Sequence, residues 1–162
     1  MASDRFLLAR DTVNGAEGQL FITVDGRNVE IAGMRNIRTN ASIQAADMRV
    51  IGTRKIQEKP NGVKLAGTGN IYYGTNIFTD MVLKYINTGV MDSFDIQIIN
   101  NDPDTTIGTQ NMAYFGCKLT GDIPLSILND EEAMLNYDFN FTYTDVSRLE
   151  AFNEPATYGG GY

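Results

Sequence analysis

Residues 63–89, VKLAGTGNIYYGTNIFTDMVLKYINTG, change period part-way along. VKLAGTGNIYY alternates as a strand does, and TNIFTDMVLKYINTG carries the spacing of a helix. Gly67 and Gly69 predict close backbone approach or a bulge within the strand. At 100° per residue, Ile77, Met81, Tyr85, Phe78, Val82 and Ile86 sweep roughly half the helix circumference, and Leu83 widens the arc. Asp80, Lys84 and Asn87 hold the polar side, with Asp80 and Lys84 at a favourable i, i+4 spacing. Thr75 or Asn76 is expected to cap the helix and Gly89 to end it. A helix with so wide an apolar face needs cover from more than one direction. Its own sheet supplies one side; a second layer of the chain or a neighbouring subunit must supply the other.

The 162 residues set a prior of one domain, and 43% hydrophobic content is enough for a core. The N-terminus has only a three-residue apolar run, too short for a signal peptide, and no stretch approaches a transmembrane helix. The expectation is a soluble protein with no export signal and no membrane anchor. The single cysteine, Cys117, excludes an internal disulfide and fits a reducing compartment. There is no histidine, which removes serine–histidine and cysteine–histidine catalysis and histidine metal sites.

The net charge of −7 argues against tight nucleic-acid binding, which needs cations to neutralise phosphates. Its distribution is uneven. Between Arg35 and Lys64 seven bases face two acids, and between Asp92 and Asp145 ten acids face one base, Lys118. Two solvated faces would account for this; so would complementary surfaces that join identical copies head to tail.

In chain order, residues 1–18 read as an arm or loop. Leu20–Val24 and Asn28–Ala32 read as strands joined by the hairpin turn Asp25-Gly26. An extended segment covers Asn36 to Asp47, while residues 48–62 are the least strand-like part and are expected to turn at Pro60-Asn61-Gly62. Residues 39–67 thus form a long basic excursion whose tip lies away from the core. Phe94–Asn100 is a strand, broken by Asn101-Asp102-Pro103-Asp104. That spacing suggests a calcium loop but lacks the glycine and distal glutamate, so an Asx/Pro turn is the plainer reading. Gln110–Thr120 is a strand with Ala113, Phe115, Cys117 and Leu119 expected on one face. Cys117 there reads as a small buried hydrophobe. Ile123–Leu128, interrupted by Pro124, suits an edge strand, and Asn129–Glu132 an acidic turn. Leu135–Asp145 alternates most cleanly, and Val146–Phe152 is expected to make a short helical turn. Residues 156–162 are a glycine-rich tail. The sum is a mainly β protein, a β-sandwich or barrel of about seven or eight strands with one flanking α-helix.

The segments DTVNGAEGQLFITVDG (11–26), IGTR (51–54), NGVKLAGTGNIYYGTNIFTDMVLKYINTG (61–89), FDIQIINNDPDTTIG (94–108), GCKL (116–119), FNFTYTD (139–145) and LEAFNEP (149–155) follow one another along the chain. Together they resemble the tail-tube proteins of contractile phage tails and defective phage-like particles of Gram-positive bacteria. The Thr-Tyr of FNFTYTD stands where a second phenylalanine is expected, and ATYGGGY runs past the matched part.

The resemblance implies a structural protein, not an enzyme, with no catalytic residue, cofactor or metal. It implies one tail-tube domain over residues 1–155, with 156–162 a flexible tail. Six copies would form a ring, and stacked rings a tube assembled in the bacterial cytoplasm and carried in the particle's tail. Sheath, baseplate or tube-initiator, and tail-terminator proteins would be its partners, with DNA passing through a phage tube without specific binding. Under that reading Arg49, Arg54, Lys55, Lys59, Ile77 and Met81 are the expected contacts between subunits or rings. The rows Asn40/Ser42/Gln44 and Asn140/Thr142/Thr144 are candidates to face the lumen. A tube protein of a type VI-like secretion system shares this architecture. A carbohydrate-binding β-sandwich of a baseplate is an alternative of another class, although the chain has no tryptophan. A carboxylate glycosidase fits less well, since the acids cluster in turns.

Overall fold

The computed structural model describes residues 8–31, 33–131 and 133–153. Among them are eight strands, one α-helix and a short 3-10 turn at Ala9–Asp11. Hydrogen-bonded neighbours follow the order β2-β1-β5-β6-β7-β4-β3, with β8 also on β6. The mainly β class and the flanking helix are as the sequence predicts. The chain divides into two compact units, one of residues up to 34, 92–117 and from 144 on, the other of residues 35–91 and 118–143.

In the first unit, β1 (Gly18–Val24) and β2 (Arg27–Glu30) make the expected hairpin. Asp25 (φ 51°) and Gly26 (φ 77°) both take the left-handed conformation that lets a two-residue turn match strand twist. β5 (Phe94–Asn100) pairs antiparallel with β1, setting Leu20 opposite Ile98 and Ile22 opposite Ile96. β6 (Gln110–Thr120) lies along β5's other edge. Here the simple alternation fails. Phe94 pairs with Cys117 but Ile96 with Tyr114, so β6 carries one extra residue. The bulge centres on Gly116, whose φ of 66° a side chain would resist, and its N–H donates to Asp95 Oδ1 at 3.2 Å. The shift puts Cys117 on the buried face of Tyr114 and leaves Phe115 exposed, so Phe115 and Cys117 do not share a face.

β8 (Asp145–Glu150) pairs with β6 residues 111–115, where a helical turn was expected over Val146–Phe152. A helix of seven residues is marginal alone, whereas β6 offers this segment a hydrogen-bonding edge. The arm ahead of β1 is tied to the loop after β5. Asp102 accepts N–H bonds from Asn14 (2.8 Å) and Asp104 (2.9 Å), the second closing an Asx turn, and the Arg10 carbonyl accepts from the Thr106 N–H at 2.8 Å.

The second unit is built on β7 (Asn136–Thr142), whose alternation is as read: Tyr137, Phe139 and Phe141 buried, Asp138, Asn140 and Thr142 exposed. β7 pairs antiparallel with the C-terminal half of β4 (Gln57–Tyr72), Gly67 opposite Phe141 and Gly69 opposite Phe139. A Cβ on either glycine would overlap the facing phenylalanine ring. Both glycines make room for aromatic rings, and Gly69 also for the Asn36 carbonyl, which a Cβ there would approach to 3.1 Å. Helix α1 (Ile77–Thr88) covers this layer, with Phe78 4.6 Å from Phe139 between ring centroids. Gly89 ends it in the left-handed conformation, its N–H reaching the Tyr85 carbonyl. Asn76 is the N-terminal flanking residue, but its side chain makes no capping hydrogen bond.

β3 (Met34–Met48) and β4 form one long hairpin. The turn expected at Pro60-Asn61-Gly62 lies inside β4 instead, and the chain reverses at residues 49–56, where Gly52 has φ 102°. Pro60 is tolerated because β7 pairs only with residues 66–72, leaving β4 a single partner strand further out. Residues 123–128, expected as an edge strand, are irregular. Pro124 withholds an N–H, and no strand pairs with the segment.

Candidate functional site

Two exposed surfaces stand out among the described residues. The first is the outer part of the β3–β4 hairpin. From residue 40 to 48 and from 57 to 64 every residue but Gln44 is exposed, on both faces of the ribbon. Among the described residues no further strand pairs with either of its edges: β3 is the last strand of the order, and β4 leaves β7 at Ala66. Arg49, Arg54 and Lys55 stand exposed at the tip and Lys59 on the outer part of β4. With them are Val50, Ile51 and Ile56, and Ile51 is wholly in solvent at 106% exposure.

The second surface is α1 and its neighbours. Met81 is buried in the chain's own core and Ile77 is half-buried, whereas Leu83, Tyr85, Ile86 and Val90 are exposed. The surplus apolar face is real, and it lies one step round the helix from the residues the sequence singles out. Beside it runs a groove of about 620 Å³, lined by Val82 and Tyr85 of α1, Leu119 and Lys118 of β6, and Asp122 and Leu125 of the following loop. The groove is not visible in the sequence, because it depends on where an irregular loop runs. The exposed leucines Leu125 and Leu128 in a turn-rich segment were the available signal.

The polar rows are placed as follows. Asn140 and Thr142 are exposed on β7, on the side away from Phe139 and Phe141. Ser42 and Gln44 share a face of β3, where the Gln44 amide donates to Ser42 Oγ at 3.2 Å. Asn40 is exposed, and its carbonyl accepts from the Tyr143 hydroxyl at 2.9 Å. Thr144, in the first unit, serves the backbone: its hydroxyl donates to the Phe115 carbonyl at 3.1 Å. On the polar side of β4 and β7 there is also a network that the sequence did not suggest. Asn70, nearly buried, donates to Asp138 Oδ1 (2.8 Å) and Asn136 Oδ1 (3.1 Å) and accepts from Arg35 Nη1 at 3.4 Å. The Arg35 guanidinium lies 5.5 Å from the Tyr72 ring centroid.

Burial, with the Asp95 charge second, pushes the Cys117 thiol up to about 12, which keeps it protonated and inert at neutral pH. Burial and then Tyr73 raise Tyr137, whose enclosed hydroxyl has no hydrogen-bond partner. Among the described residues no group of three or more acidic or cysteine side chains is placed to hold a metal, and no helix is long and apolar enough to cross a membrane.

Residues 5–150 match the model of the DUF2001 family, described as phage tail tube protein. The chain belongs to this tail tube family. No protein with a curated description matches it. The fold is similar to that of a chain in the sheath–tube complex of an extracellular contractile injection system, PVC, in its extended state (TM-score 0.63, 12% identity, covering 86% of this chain and 93% of that one). It is also similar to chains in the cap and the baseplate of the anti-feeding prophage. The cap match has a TM-score of 0.62 at 12% identity, covering 90% and 96% of the two chains; the baseplate match has 0.61 at 10%, covering 82% and 92%. At such identities what is shared is the fold.

Proposed function

We propose that this chain is the structural subunit of the inner tube of a contractile tail, in a phage or phage-like particle of the Gram-positive kind that the sequence resembles. Six copies close into a ring, and rings stack head to tail into a hollow conduit. The observation that carries this is the outer β3–β4 ribbon, exposed on both faces and unpaired on both edges. A two-stranded ribbon in water is marginal alone, and its free N–H and C=O groups invite strands from neighbouring copies. Continuous pairing from copy to copy would satisfy those groups and close the sheets into a barrel.

Sheath, baseplate or initiator, and terminator proteins are the partners that such a tube meets, and the particle's tail is where it resides after assembly in the host cytoplasm. Its role is structural rather than enzymatic. Six copies at −7 each carry −42, so a lumen faced by polar strand rows such as Asn140 and Thr142 would let DNA pass without holding it. Negative-stain microscopy of the purified protein tests the proposal. Hollow tubes or six-fold rings are expected; dispersed monomers at every concentration and salt would overturn it.

A further inference from the structure

Asn-Gly occurs twice in the chain, at residues 14–15 and 61–62. In this pair a main-chain nitrogen readily reaches the preceding amide side chain, because glycine puts no Cβ in the path. The two pairs stand in different backbones. Asn61 and Gly62 lie inside β4, where pairing with β3 holds the chain extended. Asn14 opens a tight turn, and the Glu17 N–H donates to its carbonyl at 3.1 Å. Within that turn the Ala16 N–H donates to Asn14 Oδ1 at 3.0 Å, an Asx turn that folds the side chain back along Gly15. Among the described residues no hydrogen bond engages the Gly15 N–H, and a Cβ there would meet nothing within 4 Å.

We propose that Asn14 is a site of spontaneous deamidation in the folded protein, and that its conversion loosens the arm ahead of β1. The Gly15 N–H gives its proton to solvent, and the nitrogen forms a bond to Asn14 Cγ. The bond from Cγ to the side-chain nitrogen breaks, and that nitrogen leaves as ammonia with a proton from solvent. Charge builds on Oδ1 during the attack, where the Ala16 N–H already points. Water then opens the cyclic imide, at Cγ to leave aspartate or at the main-chain carbonyl to leave isoaspartate. The arm is sensitive to this change because polar bonds, not packing, hold it. Of the described side chains from 9 to 17 only Val13 is partly buried. The Asn14 N–H donates to Asp102 Oδ2, and the Arg10 carbonyl accepts from the Thr106 N–H and from the Thr105 hydroxyl at 3.3 Å. Isoaspartate lengthens the main chain by one carbon inside the turn, which breaks the fit of these bonds. Aspartate adds a second negative charge next to Asp102.

The test is to keep the purified full chain warm at mildly alkaline pH and to map its peptides by mass spectrometry. Residue 14 should convert at least about fivefold faster than residue 61, because Asn61 reacts only when its ribbon opens. In denaturant, where turn and strand are both lost, the two sites should convert at comparable rates. Equal conversion of the two sites in the native chain, or faster conversion at 61, would overturn the proposal. Gly15→Ala, whose methyl has open space, should slow conversion at 14 about tenfold with thermal unfolding unchanged. An unaltered rate in that variant would exclude the Gly15 nitrogen as the attacking group. The converted chains, separated by their extra negative charge, should be cut by trypsin after Arg10 at least about threefold faster than unconverted ones. Equal cutting would overturn the loosening of the arm.

Discussion

From Ala66 to Tyr72, β4 pairs with β7, rests under aromatic rings, and buries Ile71 to 1% exposure. From Gln57 to Lys64 the same strand has solvent on both faces and only β3 for a partner. Both halves are extended and hydrogen-bonded, yet only one of them is held by packing. A strand of 16 residues is thus a core element at one end and an arm at the other. The stability of the chain should be sensitive at the first end and nearly blind at the second, while assembly should show the reverse.

Substitutions along that one strand can break the comparison. Ile71→Asp should cost about 5 kcal/mol or more by placing an unpaired carboxylate in the core, enough to prevent folding, read as loss of a cooperative thermal transition. Gly67→Val should cost about 3 kcal/mol in denaturant unfolding, since its branched side chain meets the fully buried Phe141 ring. Full stability in that variant would mean the glycine's close approach has no energetic weight. Asn70→Leu removes the donor to Asp138 and Asn136 and the acceptor for Arg35, and should cost about 1 kcal/mol, since those partners can return to water. At the outer end, Val63→Asp should change unfolding by no more than about 0.5 kcal/mol. Sedimentation should nonetheless show less assembly, because Val63 is half-exposed on the part of the ribbon beyond β7. A large stability loss there, with assembly intact, would reverse the comparison.

Much of this was legible in the chain itself. Asp25-Gly26 specifies its turn through backbone conformation alone, and Phe94–Asn100 and Gln110–Thr120 have the strand bounds that their patterns predict. The aromatic alternation of Tyr137, Phe139 and Phe141 marks the buried face of β7 without help. Misreadings fell where a segment's state depends on a distant partner. Residues 57–62 look like a turn because Pro60-Asn61-Gly62 is local turn chemistry, but pairing with β3 draws them into a strand. Residues 145–150 hold a weak local preference that the edge of β6 overrides. The bulge at Gly116, which sets Phe115 and Cys117 on opposite faces, arises from the register between β5 and β6.

The candidate surfaces divide in the same way. Charge asymmetry and the breadth of the helix's apolar arc are properties of composition and spacing, so they could be read directly. Which part of that arc stays uncovered could not. Met81 lies within the core and Leu83, Tyr85 and Ile86 outside it, because the aromatic layer led by Phe139 sets how α1 is rotated. Local conformation and period were enough for the helix, the Asp25-Gly26 turn, the buried aromatic row and the basic character of the excursion. Tertiary structure alone decided the ribbon's reach, the groove and the Asn70 network, each of which exists only where residues far apart in the chain meet.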